Sequence, residues 1–191
     1  LRGAGVIAAL MALAGCPTLD VSEPIALVPG DDWTTVERGA LAEAAECWNM
    51  RFGTRLSVGA SDTIMQQTTF EFSDFVCHIA LARTETMYPV KVFVCPTHYS
   101  WTMKSERLRN LFIVLLHELG HVLNIRKHAT APDAIMAGGL GGKFHEQDVE
   151  LFREANQGFQ PRPRCTPVHV RHPGMVHAKA DTLRSPYCAC P

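Results

Sequence analysis

The stretch that decides the fold is VLLHELGHVLNIRKHATAPDAIM, residues 114–136. It carries His117, Glu118 and His121 in an otherwise apolar run, and His128 follows after that run ends. Helix positions four residues apart lie about 40° apart around the axis and one turn apart along it, so the imidazoles of His117 and His121 can approach one metal ion. The sequence therefore predicts a metal site on one face of a buried helix over about residues 103–123.

The residue types in this pattern favour zinc and hydrolysis. Imidazole nitrogens bind zinc at about 2.0–2.1 Å, and Glu118 lies beside the histidine face, where it can accept a proton from a water that zinc has acidified to a pKa of about 7. This HExxH arrangement is that of metalloproteases. The competing interpretation, in which these three groups only satisfy one another, requires a buried charge with no cation other than histidine. We therefore expect a Zn²⁺-dependent enzyme with Glu118 as its general base.

A catalytic zinc site needs a third protein ligand and leaves the fourth position to water. Asn124 can adopt the left-handed conformation that ends a helix, and the chain after it can then bring His128 toward the metal. Lys127, Asp133 and His145 are competitors, but a protonated lysine is no ligand and the other two lie farther from the bend. We expect His128 to be the third ligand.

These residues resemble the metzincin clan of zinc endopeptidases, whose consensus is HExxHxxGxxH followed by a methionine-containing turn. Here HELGHVLNIRKH is followed by DAIM, which ends at Met136. The resemblance extends over roughly residues 33–156, although only the quoted stretch matches specifically. It implies that His117, His121 and His128 bind zinc, that Glu118 is the catalytic base and that Met136 forms an apolar floor beneath the metal.

The sequence departs from the clan's pattern in three places. Asn124 stands where the clan has Gly, His128 comes one residue after the consensus position, which Lys127 holds, and no Tyr follows Met136 closely. The later histidine requires a bulge of one residue in the turn.

Two other interpretations stay open. In a thermolysin-like zinc protease the third ligand would be a glutamate on a later helix, and Glu146 or Glu150 could serve. From a different functional class, the chain could be a non-catalytic, zinc-stabilised envelope lipoprotein that binds a partner. Loss of Glu118 would be the sequence sign of that protein, and Glu118 is present.

The segments around the motif predict an α+β fold. We expect a small mixed β-sheet packed against the active-site helix and a first long helix, in a metzincin-like arrangement with a C-terminal helix after the methionine turn. The first helix should have Asp31 or Asp32 as its N-cap. The predicted first helix, three strands and final helix are WTTVERGALAEAAECWNMRF, TRLSVGA, FVCHIALAR, YPVKVFVCPTHY and FHEQDVELFREANQ, respectively.

The N-terminal segment predicts export. LRGAGVIAALMALAGC has one Arg, an apolar run too short to span a bilayer and small residues before Cys16, and its last four residues resemble the bacterial lipoprotein box. We expect a protein of the bacterial cell envelope that is held on a membrane by a lipid on Cys16, or a secreted one if Cys16 is not lipidated. The expected organisation is a signal peptide (residues 1–15), a lipidated tether (16–32), a zinc metalloprotease domain (33–159) and an irregular or disordered tail (160–191).

Cysteine content and charge agree with that compartment and narrow the partners. Six cysteines remain after Cys16, an even set that an oxidising compartment would pair, and we favour a bridge between Cys77 and Cys95 in neighbouring strand-like runs. A net charge of -1 over 191 residues gives no electrostatic footprint for nucleic acid. The expected partners are a protein or peptide substrate and a membrane.

Overall fold

The structure is a computed structural model that describes residues 19–61, 63–64, 66–78, 80–87, 89–96, 104–139 and 141–160. Its helices and strands form the α+β fold that the sequence predicts. The predicted signal peptide, Cys16 and the tail from residue 161 lie outside the described residues. In chain order the elements are β1 (Ile25–Pro29), α1 (Thr35–Phe52), β2 (Leu56–Val58), β3 (Gln66–Phe72), a 3-10 turn (Val76–His78), β4 (Ala82–Glu85), β5 (Val90–Val94), α2 (Lys104–Val122) and α3 (Glu146–Ala155).

The five strands form one mixed sheet in the order β2-β1-β3-β5-β4. All neighbours are parallel except β4, which runs antiparallel to β5 and lies at the edge. Phe70 of β3 and Thr84 of β4 both pair in register with Val92 of β5. Because Phe70 and Val92 are fully buried, Thr84 shares the face of the sheet that is turned toward the core.

The helices α1 and α2 pack against each other and cover that face. Trp48 of α1 is fully buried, and its indole N–H donates to the carbonyl of Leu116 in α2 at 2.9 Å. This bond fixes α1 to the turn of α2 that precedes His117, and residues 111–116 of α2 are buried. No helix in the described part of the chain has the length and hydropathy needed to cross a membrane.

The first helix begins at a different cap from the one the sequence suggested. Its N-cap is Thr34, whose Oγ1 accepts from the Glu37 amide, while the Glu37 carboxylate accepts from the Thr34 amide at 2.8 Å. The predicted caps Asp31 and Asp32 were wrong, because the Trp33 amide donates to the Gly30 carbonyl at 3.2 Å and closes a turn around them. A capping box of the T-x-x-E type thus outcompetes an isolated aspartate.

Two strands were missed and one was misplaced. Residues 25–29, assigned above to the tether, form β1 inside the sheet, and Leu19 and Val21 before it are buried. The predicted boundary at residue 33 is therefore too late. The strand β3 was not predicted at all, and FVCHIALAR begins as the 3-10 turn and enters β4 only at its end.

The disulfide predicted between Cys77 and Cys95 is confirmed, with a Cα–Cα distance of 4.8 Å. It ties the 3-10 turn to the end of β5. The Cys95 amide also donates to the Leu81 carbonyl at 2.9 Å. A disulfide and a backbone hydrogen bond therefore both hold the segment that leads into the edge strand β4.

Candidate active site

Three imidazole rings meet at the C-terminal half of α2. His117 and His121 lie on one face of α2, with ring centroids 4.9 Å apart, and His128 from the following loop lies 5.2 Å from each of them. Each ring offers a nitrogen within 4.8 Å of the others, and these three residues form the only such cluster among the residues described. The structure thus brings together the three histidines that the sequence singled out.

Backbone carbonyls orient the two helical rings. The Nδ1–H of His117 donates to the carbonyl of Ile135 at 2.7 Å, and that of His121 donates to the carbonyl of Ile125 at 2.5 Å. A bond of this kind fixes the tautomer and leaves Nε2 with a free lone pair. Both helical histidines are therefore prepared to bind a metal through Nε2.

Removal from water also favours the neutral form of the three rings. It lowers the pKa of His117 to about 4, with a further lowering from the nearby His121. The pKa of His121 is lowered by burial, and that of His128 by burial and by the neighbouring His121. Neutral imidazole is the form that binds a metal, so these lowered pKa values favour metal binding.

The helix ends in the way that brings His128 to the cluster. Asn124 has a φ of 69°, the left-handed conformation expected of it. Its amide donates to the carbonyl of His121, and the next amide, of Ile125, donates to the carbonyl of Gly120 at 3.0 Å. These two bonds form a Schellman motif. The motif turns the chain back, and the same turn places the Ile125 carbonyl on His121.

The residues that competed for the third position lie elsewhere. Lys127, at the consensus position, forms an exposed ion pair with Glu154, and Asp133 pairs with Lys143. His145 caps α3. Glu146 and Glu150, the alternative carboxylate ligands, are exposed on α3, and neither joins the cluster.

Glu118 lies beside the histidines with only 5% of its surface exposed. The hydroxyl of Thr84 donates to its Oε2 at 2.5 Å. Burial raises the pKa of Glu118 to about 7, against the opposing effect of the Thr84 hydrogen bond. A carboxyl group with such a pKa can both take and return a proton near neutrality. No local sequence pattern indicates Thr84, because it meets Glu118 only through the pairing of the β-sheet.

Met136 is fully buried and packs against the helix that carries His117 and His121. A Cβ built on Gly120 would lie 2.2 Å from the Met136 sulfur, so the thioether packs directly against the backbone of α2 between Glu118 and His121. The Met136 carbonyl accepts from the amide of Ala129, which follows His128, at 2.7 Å. The methionine turn is thereby paired with the loop that carries the third histidine.

One buried carboxylate holds that turn. Asp148, in the first turn of α3, accepts from the Met136 amide at 2.8 Å, from the Ile135 amide at 3.1 Å and from the His145 amide at 2.7 Å. Three N–H donors compensate the burial of the carboxylate. Asp148 was not predicted from the sequence, although the pattern His145-x-x-Asp148 at the start of a helix is typical of a capping box.

The cluster faces an open cleft of about 700 Å³, which is within the range of ligand sites. Residues 80–84, at the edge of the sheet, form one wall, and the small residues Ala137, Gly138 and Gly139 form another. Donors about 2.1 Å from one tetrahedral ion lie about 3.4 Å from one another, which is compatible with three ring nitrogens that all lie within 4.8 Å of one another. Three neutral imidazoles, two with Nε2 left free, are a donor set that fits zinc.

The comparisons with known proteins agree with this geometry. The fold is similar to that of archaemetzincin from Methanopyrus kandleri, with a TM-score of 0.51 and 12% sequence identity over 70% of this chain and 94% of that one. No curated protein sequence matches the chain significantly. The family model of matrixin, peptidase family M10, matches residues 37–161, more than half of the chain. The metzincin-type resemblance is thus confirmed for family and fold, and this chain belongs to the matrixin family of zinc metallopeptidases.

Proposed function

We propose that this chain is a zinc-dependent endopeptidase that uses Glu118 as its general base. The observation that carries the proposal is the meeting of His117, His121 and His128 beside a buried glutamate in an open cleft. A site of structural zinc is closed by four protein ligands, whereas the described residues supply three. The position left open suits a catalytic site.

The three histidines would hold the ion through ring nitrogens. When bound, zinc supplies a Lewis acid that polarises a carbonyl and acidifies a coordinated water. The carbonyls of Ile135 and Ile125 keep two of the rings in one tautomer and one orientation. Such partners raise the basicity of the ligands and typically account for about 10–100-fold of metal affinity or activity.

Glu118 performs the proton transfers. It accepts a proton from the attacking water as the water oxygen bonds to the scissile carbonyl carbon. It then passes the same proton to the departing nitrogen as the C–N bond breaks, so the products are a carboxylic acid and an amine. Its burial excludes bulk water from the carboxylate, and the nearby histidines place it where the reaction would occur.

The substrate would be a protein or peptide bound in extended form. Within the described part of the chain the edge strand β4 pairs with β5 alone, so its other side could accept an added strand. A peptide pairing there would gain backbone hydrogen bonds, and residues 80–84 already form a wall of the cleft. This placement would lead the scissile bond past Glu118.

We also propose that the protein acts in the bacterial cell envelope, anchored through Cys16 or secreted. Support comes from the signal-like N-terminal segment and from the Cys77–Cys95 disulfide, which is typical of oxidising compartments. Labelling with a radioactive or alkyne-tagged palmitate in a bacterial host tests the anchor. A label that persists in a Cys16→Ser variant would contradict it.

The test of the enzymatic proposal compares Glu118→Ala, His128→Ala and the exposed control His78→Ala. Zinc content and cleavage of a generic protein substrate are measured for each. We expect Glu118→Ala to keep zinc and to lose about 100-fold or more of the hydrolysis rate, His128→Ala to lose tight zinc binding, and His78→Ala to behave as the wild type. Glu146→Ala should keep its zinc.

Two results would overturn the proposal. If Glu118→Ala cleaves as fast as the wild type, Glu118 is not the base. If the wild type binds zinc tightly and yet cleaves nothing with or without added zinc, the chain is a zinc-stabilised binding protein. A chelator must also stop cleavage, and added zinc must restore it.

A further inference from the structure

The side chain of Glu118 is hydrogen-bonded to a residue of the β-sheet. Thr84 lies on β4 and its Oγ1 donates to Glu118 Oε2 at 2.5 Å, across 34 positions of sequence. No other hydrogen bond to this carboxylate occurs among the described residues. Thr84 is half-buried and lines the cleft together with Glu118.

This contact follows from the register of the sheet. Thr84 pairs with Val92, which is fully buried, so its side chain points to the helical face of the sheet rather than to the outer one. The strand β4 packs against α2. A threonine at this position therefore presents its hydroxyl to the helix that carries Glu118.

A hydroxyl donor on one carboxylate oxygen restricts the glutamate. Glu118 has three side-chain torsions, and its side chain borders the cleft. The bond to Oε2 selects the combinations that turn the carboxylate toward β4. The other oxygen, Oε1, keeps its lone pairs for the water that reacts.

We propose that Thr84 is a positioning residue that holds the general base Glu118 in its reactive orientation. The proposal rests on the proposed function. It also connects two parts of that function, because β4 is the strand along which a peptide substrate would pair. The strand that sets the substrate's register and the strand that orients the base are then the same.

Three substitutions separate positioning from packing. Thr84→Val keeps the shape and removes the hydroxyl, whereas Thr84→Ser keeps the hydroxyl and removes a methyl group. Thr69→Val removes a hydroxyl on β3, outside the residues that line the cleft, and that hydroxyl has no hydrogen-bond partner among the described residues. If Thr84 only packs β4 against α2, the serine variant should be the more impaired of the two Thr84 variants.

The experiment measures kcat, KM and zinc content of the zinc-loaded full chain on one peptide substrate. We expect Thr84→Val to lower kcat by about tenfold or more with KM and zinc content within about twofold of the wild type, as for an interaction made in the transition state. Thr84→Ser should recover most of the kcat, and Thr69→Val should match the wild type.

Each contrary result has a distinct meaning. An active wild type with an equally active Thr84→Val variant would overturn the role of Thr84 and leave the proposed function standing. Equal impairment of Thr84→Ser and Thr84→Val, or loss of zinc from Thr84→Val, would show a packing role and also overturn it. A wild type that binds zinc and is inert would overturn both proposals.

Discussion

Replacing Gly120 by alanine tests how closely the methionine turn packs on the metal-binding helix. The added Cβ would lie 2.2 Å from the Met136 sulfur and 3.0 Å from its terminal methyl carbon. On its other side it would lie 3.2 Å from Cζ2 of Trp48. Non-bonded carbon atoms normally approach to about 3.5–4.0 Å, and sulfur is no smaller, so Met136 would have to move by more than about 1 Å.

The magnitude follows from two opposing effects. Met136 and Trp48 are fully buried, so no free space receives the displaced thioether, and overpacking of this kind destabilises by about 1–3 kcal/mol. Alanine is favoured over glycine inside a helix by about 1 kcal/mol. Taking the upper part of the first range for so close a contact, we expect a net loss of about 2 kcal/mol. That loss should lower the unfolding temperature by about 4–8 °C in a domain of this size.

The assay is thermal and urea unfolding of Gly120→Ala beside Gly39→Ala. Gly39 also lies inside a helix, α1, but a Cβ there would meet no atom within 4 Å. The control should therefore gain stability by about 0.5–1 kcal/mol. Equal gains for both variants would refute the packing of Met136 on Gly120. In a Met136→Ala background the loss caused by Gly120→Ala should largely disappear.

Three further predictions concern the support of the site. Asp148→Asn should lower the free energy of unfolding by about 1–3 kcal/mol, because an amide nitrogen would then face backbone N–H donors. A change below about 0.5 kcal/mol in urea unfolding would contradict this prediction, because an ordinary surface substitution has an effect of that size. Asn124→Ala should destabilise by about 1–2 kcal/mol through its left-handed backbone, and Asn124→Gly should destabilise less in the same assay. In metal-free protein, folding lowers the pKa of His117 from 6.5 to about 4. Its contribution to the free energy of unfolding is therefore full above pH 6.5 and is lost as the pH falls toward 4. Glu118, with its pKa raised from 4.5 to about 7, acts in the opposite sense, since its contribution is full below pH 4.5 and is lost as the pH rises through 7. Urea unfolding is therefore measured between about pH 4 and pH 7 with a chelator present. As the pH falls, the free energy of unfolding should decrease more steeply for Glu118→Gln than for the wild type. An equal slope for the two proteins would contradict these pKa shifts.

The metal-binding helix and the path of the following loop could be predicted because their determinants are local. The spacing of His117 and His121 needs only helical geometry, and the turn depends on one residue that tolerates a positive φ, Asn124. The one-residue displacement of His128 is also understandable locally. Lys127 at the consensus position is exposed and ion-paired with Glu154, so the extra residue is taken up in the loop without disturbing α2.

The missed strands depend on partners that are distant in sequence. The segment QQTTFEF of β3 looks polar because half of its side chains face the outer side of the sheet, and Thr68 is nevertheless fully buried. Only its parallel neighbours β1 and β5 make it a central strand. The strand β1 is bounded by Pro24 and Pro29, which favoured a linker. Parallel strands are not joined by a hairpin turn, so no short turn motif in the sequence predicts their pairing.

The part of the site that is hardest to predict from the sequence is the chain of hydrogen bonds that connects Asp148 in α3 to His117 in α2. Asp148 binds the amides of Ile135 and Met136, and the carbonyl of Ile135 accepts from the Nδ1–H of His117. The carboxylate that caps α3 therefore also fixes the peptide unit that orients His117, a proposed metal ligand. Each contact is short and ordinary, but they join segments that the sequence separates by a loop rich in glycine. A metal site of this kind is specified twice: by a short motif that supplies the nitrogens, and by a distant carboxylate that determines where one of them points.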